Sequence, residues 1–207
     1  MAMTNGIVLK RHDYEESSII MSILNDKGIE SVMARYVKKG NKMYLPLTEP
    51  LTEISYIATK SRELSYLKSG ELINPYKKTK AELNRICLSN VVLEYSYLLI
   101  DAITDKKSYY DLVLVTLSSI EDSVDPEDSL FRYLILLTKV LGISLRKDYI
   151  IETYGLSTEC MDAINAIFSG NKPEKRKELR LFLRAYFDKE MGVKPRSFDF
   201  YLNIYNE

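Results

Sequence analysis

The period of the apolar residues changes once along this chain, near residue 78, and that switch constrains the fold more than any other feature. Before it, apolar residues come in short, β-rich runs at 6–12, 17–24, 29–37, 51–59 and 63–68. Turn formers separate them, and Asn25-Asp26-Lys27-Gly28 is the signature of a tight hairpin. Five short strands joined by turns predict a small sandwich or barrel. Ser69-Gly70 and Asn74-Pro75 read as the link that closes it. Beyond the switch the spacing is helical: Leu83, Ile86, Cys87, Val91, Tyr95, Leu98 and Ala102 fall on one stripe. Thr79 and Glu82 form a capping-box pattern, and Ser108 to Asp111 reads as a second helix start. Asp125-Pro126-Glu127-Asp128 is a third, with proline at the first helical position, and its helix runs through Leu141 to stop at Gly142. Ser157 opens a short helix ending near Gly170. Pro173 opens the last long one, with Leu179, Phe182, Leu183, Tyr186 and Phe187 on one side, and Gly192 and Pro195 end it. The expected class is α+β: a β-domain over 1–78, then an all-α domain over 79–207 with about five helices.

Composition removes several classes. Of 207 residues, 46% are apolar and 28% charged, which excludes wholesale disorder. The 29 basic and 29 acidic side chains cancel, against a uniformly basic nucleic-acid coat. The balance is uneven, at +4 over 1–80, −7 over 81–168 and +3 over 169–207, which suggests two surfaces of opposite sign. Cys87 and Cys160 are the only cysteines, too few for a disulfide framework or a four-cysteine zinc site, and they fit a reducing, cytoplasmic setting. The N-terminus lacks a signal-peptide core. The apolar runs at 91–103 and 130–143 are interrupted by polar residues and are shorter than the roughly 20 residues of a membrane span. They read as buried helices, with no membrane partner expected.

Catalytic patterns are missing. His12 is the one histidine, and its strand neighbour Asp13 points to the opposite face, so the two make no dyad. Lys39-Gly40-Asn41-Lys42 lacks the spacing of a phosphate-binding loop, and no dinucleotide fingerprint occurs. Asp101 and Asp105 read as solvated acids, and the two cysteines as core filling. No enzyme, metal or cofactor is expected. The basic loop says more. Arg35, Lys38, Lys39 and Lys42 place four positive charges around Tyr36, with Tyr44 following. Loops of this kind between barrel strands track a phosphate backbone by charge and hold bases by stacking. Lys10, Arg11, Lys60 and Arg62 could extend that face; a solvated lysine-rich hairpin is the competing reading.

Several stretches, in order along the whole chain, resemble the bacterial recombination mediator family RecO. They are Gly6-Ile-Val-Leu-Lys10 with Asp13-Tyr14-x-Glu16-Ser17, Lys27-Gly28, Met33-Ala34-Arg35 and the Lys38-Lys39 loop. Leu47-Thr-Glu-Pro50-Leu51 and Glu71-Leu72-Ile73-Asn74-Pro75-Tyr76 continue the pattern. Leu130-Phe131-Arg132 leading to Leu141-Gly142 follows, and Gly192-Val-Lys194-Pro-Arg196-Ser197-Phe198 closes it. The resemblance implies an N-terminal OB-fold, a helical C-terminal domain and a DNA-repair role. It implies binding of single- and double-stranded DNA, strand annealing, partnership with the RecR ring, recognition of the acidic tail of single-stranded DNA-binding protein, and, indirectly, loading of RecA. The implied setting is the cytoplasm, in association with the nucleoid. Many members carry a zinc finger opening with Cys-x-x-Cys-Gly. The matching stretch here, Ile151-x-x-Tyr154-Gly155, has neither cysteine, so a metal-free form is expected. A tail peptide needs a cation beside an apolar pocket, and Arg132 with Phe131, Ile135 and Leu136 could supply both. The alternatives are an OB-fold protein-interaction adaptor or an RNA-binding protein without DNA activity.

Overall fold

The computed structural model describes residues 3–59, 64–143, 145–168 and 173–205. Five strands come first: β1 (Thr4–Tyr14), β2 (Ser18–Asn25), β3 (Gly28–Ala34), β4 (Glu53–Thr59) and β5 (Ser65–Asn74). They close a barrel in the order β1-β2-β3-β5-β4. β3 and β5 run parallel and the other neighbours antiparallel. This five-stranded closed arrangement is that of an OB-fold, as expected. Ile19, Met21 and Ile23 alternate inward along β2 and meet Val8, Val32, Ile54 and Tyr56 in the barrel core. At one end the buried Tyr56 hydroxyl donates to Glu30 Oε2 at 2.7 Å and accepts from Asn25 Nδ2 at 3.0 Å.

Gly6 lets β1 lie close over β2. A Cβ there would stand 2.5 Å from Ile23 Cγ2 and 2.9 Å from the Leu24 carbonyl oxygen. Gly6→Ala should therefore destabilise the protein by about 1–3 kcal/mol, the usual cost of overpacking. Urea unfolding checks this; an unchanged midpoint would mean that the strands can part without loss.

Eight α-helices follow among the described residues: α1 (Lys77–Ala81), α2 (Leu83–Leu99), α3 (Lys106–Asp122), α4 (Pro126–Val140), α5 (Lys147–Tyr154), α6 (Thr158–Phe168), α7 (Arg176–Met191) and α8 (Arg196–Tyr205). The chain forms two compact units. One comprises residues 1–77 and 93–115, the other 78–92 and 116–207. In the first, the buried Tyr109 hydroxyl donates to Ser96 Oγ at 2.9 Å, joining the start of α3 to the end of α2. In the second, α4 packs on α6, α6 on α7 and α7 on α8. Glu127, only 3% exposed, sits at the centre of a polar network. Its Oε1 accepts from Arg180 Nε at 2.6 Å and the Tyr201 hydroxyl at 2.5 Å, and its Oε2 accepts from Arg176 Nη1 at 2.7 Å.

Several local expectations are corrected. Ser69 and Gly70 lie inside β5, paired with Ile57 and Tyr56. Gly70 is there for room, since a Cβ would come 3.0 Å from Leu47 Cδ1. The capping box at Thr79 does not form. The Thr79 N–H and hydroxyl both donate to Glu121 Oε2, at 2.7 and 2.5 Å, while Glu82 pairs with Arg85. A carboxylate 42 residues away outcompetes the local one. Asp105, not Ser108, starts α3, and its carboxylate accepts the Ser108 N–H at 3.0 Å. α4 begins at Pro126 as expected, with Gly142 left-handed after it. α7 begins at Arg176 rather than Pro173. α5 and α8 were not expected. α5 has eight residues and buries only Ile150, too brief a stripe to read. Pro195, which reads as a stop, immediately precedes α8, a position that suits a helix start equally well.

Candidate nucleic-acid interface

The basic loop is held against the β1–β2 turn by main-chain bonds. β3 ends at Ala34, and Tyr36 then adopts a left-handed φ of 58°. Its carbonyl accepts the N–H groups of Lys39, Gly40 and Asn41 at 3.3, 2.7 and 2.8 Å. The Tyr36 N–H donates to Ser18 Oγ at 3.5 Å, and the Lys38 N–H to the Ser17 carbonyl at 3.1 Å. Val37 is buried in the barrel core. A non-glycine residue in this region costs on the order of 1–3 kcal/mol, and the surrounding bonds hold it there. The result is a tyrosine ring presented to solvent, 61% exposed. A 3-10 helix, Lys42–Thr48, continues the loop and inserts Leu47 into the barrel. Tyr44 packs against that core half-buried, so only part of its ring is available for stacking.

The cations divide into two sets. Arg11 Nη1 lies 2.6 Å from Glu49 Oε1, Lys38 Nζ 2.6 Å from Asp13 Oδ2, and Lys39 Nζ 2.5 Å from Glu16 Oε2. The Lys38 ammonium holds the Asp13 carboxyl below its ordinary range by hydrogen bonding. The other three cations face no carboxylate among the described residues. Arg35 stacks over Tyr66 at 4.0 Å, Lys10 lies 3.3 Å above the Tyr97 ring, and Lys42 is exposed on the 3-10 helix. Arg11 is opposite inward-facing Met21 and Lys10 opposite Ser22, so the two point to opposite sides of β1. The structure thus gathers Arg11, Tyr36, Lys38, Lys39 and Lys42 around the β1–β2 turn and the 3-10 helix, and sets Lys10 and Arg35 apart, over the rings of Tyr97 and Tyr66. Lys60 and Arg62 lie outside the described residues. His12 is exposed, and the partner of Asp13 is Lys38.

On α4, Phe131 and Ile135 are buried in the core, Leu136 is half-buried and Arg132 is exposed. Arg132 Nη2 donates to the Ile167 carbonyl at 2.8 Å. Of the four, only Arg132 and part of Leu136 can therefore meet a partner.

The residues do not fit a zinc site at 151–155. Ile151 and Tyr154 offer no thiolate, Cys160 is buried, and no group of three or more metal-ligating side chains occurs among the described residues. Gly155 caps α5 in a left-handed conformation with φ of 63°. The Tyr149 and Tyr154 hydroxyls both donate to Glu190 Oε1 at 2.8 Å, tying α5 to α7. Those two donors hold the Glu190 carboxyl below its ordinary value. A depressed carboxylate stabilises the fold above its unfolded pKa and loses that contribution as pH falls through the folded one. Glu190→Gln should lower stability by about 1 kcal/mol at neutral pH. The gap in Tm between variant and parent should close below the ordinary glutamate value of 4.5. A gap that persists in acid would dissociate it from this carboxylate.

No helix among the described residues is long and apolar enough to cross a membrane. Residues 1–76 match the family described as Recombination protein O N terminal. The DNA repair protein RecO of Exiguobacterium sibiricum is 29% identical over 140 residues, covering 67% of this chain and 56% of the relative. That of Bacillus subtilis is 29% identical over 143 residues, covering 67% and 53%. That of Clostridium acetobutylicum is 28% identical over 152 residues, covering 70% and 60%. The chain thus spans just over half the length of the curated relatives it matches. The likeness runs well past the 76 residues of the barrel, so this chain is similar to the DNA repair proteins RecO both in its barrel and beyond it.

Proposed function

We propose that this protein is a non-enzymatic DNA-repair mediator that grips the phosphate backbone of single-stranded and duplex DNA at the end of its barrel. The observation that carries the reading is the match to DNA repair proteins over about 140 residues, almost twice the length of the barrel alone. The geometry supports it. A ring held outward by a strained backbone, beside lysines and an arginine, suits stacking on a base while cations meet the flanking phosphates. Neutralising the repulsion between two strands promotes annealing without bond chemistry. RecR, the acidic tail of single-stranded DNA-binding protein and, indirectly, RecA are the partners this role calls for, in the cytoplasm at the nucleoid. For the tail carboxylate, Arg132 is an exposed cation of α4, with Leu136 one turn further on.

Replacing Lys38, Lys39 and Lys42 together by alanine should weaken binding of a labelled single-stranded oligonucleotide and flatten its salt dependence. Fluorescence anisotropy at two salt concentrations measures both. Unchanged affinity and slope would remove the loop from the interface. Tyr36→Ala should cost about 1–3 kcal/mol of binding, the worth of one stacked base. An RNA oligonucleotide of the same sequence, run as competitor, tells whether the ribose hydroxyl matters.

A further inference from the structure

We propose that Asp13, Glu16 and Glu49 are specificity-determining residues of the barrel end, acting as built-in counter-ions that a regularly charged phosphate chain displaces and an isolated anion does not. The inference rests on the DNA reading above. Each carboxylate sits 2.5–2.6 Å from one cation of the interface, and the three come from two segments that flank it, the end of β1 with its turn and the residue after the 3-10 helix. All three are at least 43% exposed. Exposed pairs of this kind contribute about 0–1 kcal/mol, so each is easily broken. A single phosphate that displaces one of them exchanges one ion pair for another and gains nothing. A polynucleotide brings its next phosphates at high effective concentration, and adds Lys42 and a base on Tyr36, which have no carboxylate to displace.

The exchange leaves a signature in salt. A phosphate that meets an unpaired cation releases condensed counter-ions, but a carboxylate pushed off its lysine collects one from solution. Paired cations therefore add little to the salt slope, and removing the carboxylates should restore their share. For single strands the slope is about 0.7 per phosphate neutralised, so three restored cations steepen it by about 2.

The test compares the parent with Asp13→Asn/Glu16→Gln/Glu49→Gln, using fluorescein-labelled oligodeoxythymidylate and, as isolated anion, inorganic phosphate as competitor. A control triple, Asp26→Asn/Glu71→Gln/Asp101→Asn, removes the same charge from exposed positions outside these ion pairs. The first triple should bind about 100-fold tighter at 0.1 M salt, converge with the parent near 1 M, and become sensitive to phosphate competition. The control should keep the parental slope and its indifference to phosphate. Equal gains in the two triples would overturn the proposal while leaving the DNA reading intact, because net charge alone would explain them. Absence of binding by both the parent and the first triple would overturn the DNA reading itself, and this inference with it. Circular dichroism melts confirm that each variant is folded.

Discussion

Glu127→Ala should destabilise the protein by about 3–5 kcal/mol, the range found when one partner is removed from a buried ion pair. The loss is large because of what stays behind. Arg180 is 8% exposed, and among the described residues its guanidinium would keep only the Tyr205 carbonyl as a hydrogen-bond acceptor, at 3.1 Å. The Tyr201 hydroxyl would lose its 2.5 Å acceptor inside the core. Arg176 is better protected, since Asp125 and Asp128 also hold it, each at 2.7 Å. Glu127→Gln keeps an acceptor of the same shape and removes the charge, so it should cost less than alanine. Urea unfolding of both variants gives the comparison. A loss below about 1 kcal/mol for alanine would mean that the network rearranges without it. The same carboxylate joins the first turn of α4 to α7 and α8, so its loss should loosen all three together.

Phe131→Ala should cost a similar 3–5 kcal/mol, for a different reason. The ring is fully buried on α4, and truncation leaves a cavity that close-packed neighbours fill only partly. Arg132→Ala, one residue on, gives up a single charge-assisted bond to the Ile167 carbonyl at the surface and should cost about 1 kcal/mol. The contrast bears on the tail-binding proposal. Reduced peptide binding by the Phe131 variant would report unfolding, whereas reduced binding by a stable Arg132 variant would report a contact. If Phe131→Ala instead melted like the parent, the ring would belong to the surface and could line a pocket after all.

The helices show how far periodicity carries. α4 and α7 each bury a long stripe whose spacing is visible in the sequence; along α2, Cys87, Val91 and Tyr95 are buried as their spacing predicts, but Leu83 and Leu98 at its two ends are exposed. α5 buries one residue and α8 buries two, Phe198 and Tyr201, after a proline that reads equally well as a stop or a start. Capping signals are uneven: Pro126, Gly142 and Gly192 mark helix ends, whereas Thr79, Ser108 and Pro173 do not mark helix starts. Thr79 has the right neighbours for a local box, yet Glu121 reaches it first. In the barrel, five runs of β-forming residues correspond to five strands, though β3 ends at Ala34, before its run does, and β5 continues through its glycine to Asn74. Gly70 looks like a turn in sequence and is a point of close packing in space.

The candidate site was partly legible. The positive loop and its tyrosine stand out in any reading of residues 35–44. Their neighbours do not. Nothing in the order of residues says that Asp13 faces Lys38, that Glu16 faces Lys39, or that Glu49 faces Arg11. Nor does it say that Tyr44 turns into the core while Tyr36 turns out.

By itself, then, the sequence determined the class of the segments with long apolar runs, because burying apolar side chains imposes a period of two on a strand and of 3.6 on a helix, and both periods are local. It also determined which charges are available. Only the tertiary structure decided which of those charges are already answered and which helix ends are capped from afar. Those are matters of distance between residues remote in the chain, and electrostatic attraction and hydrogen bonding act on distance in space.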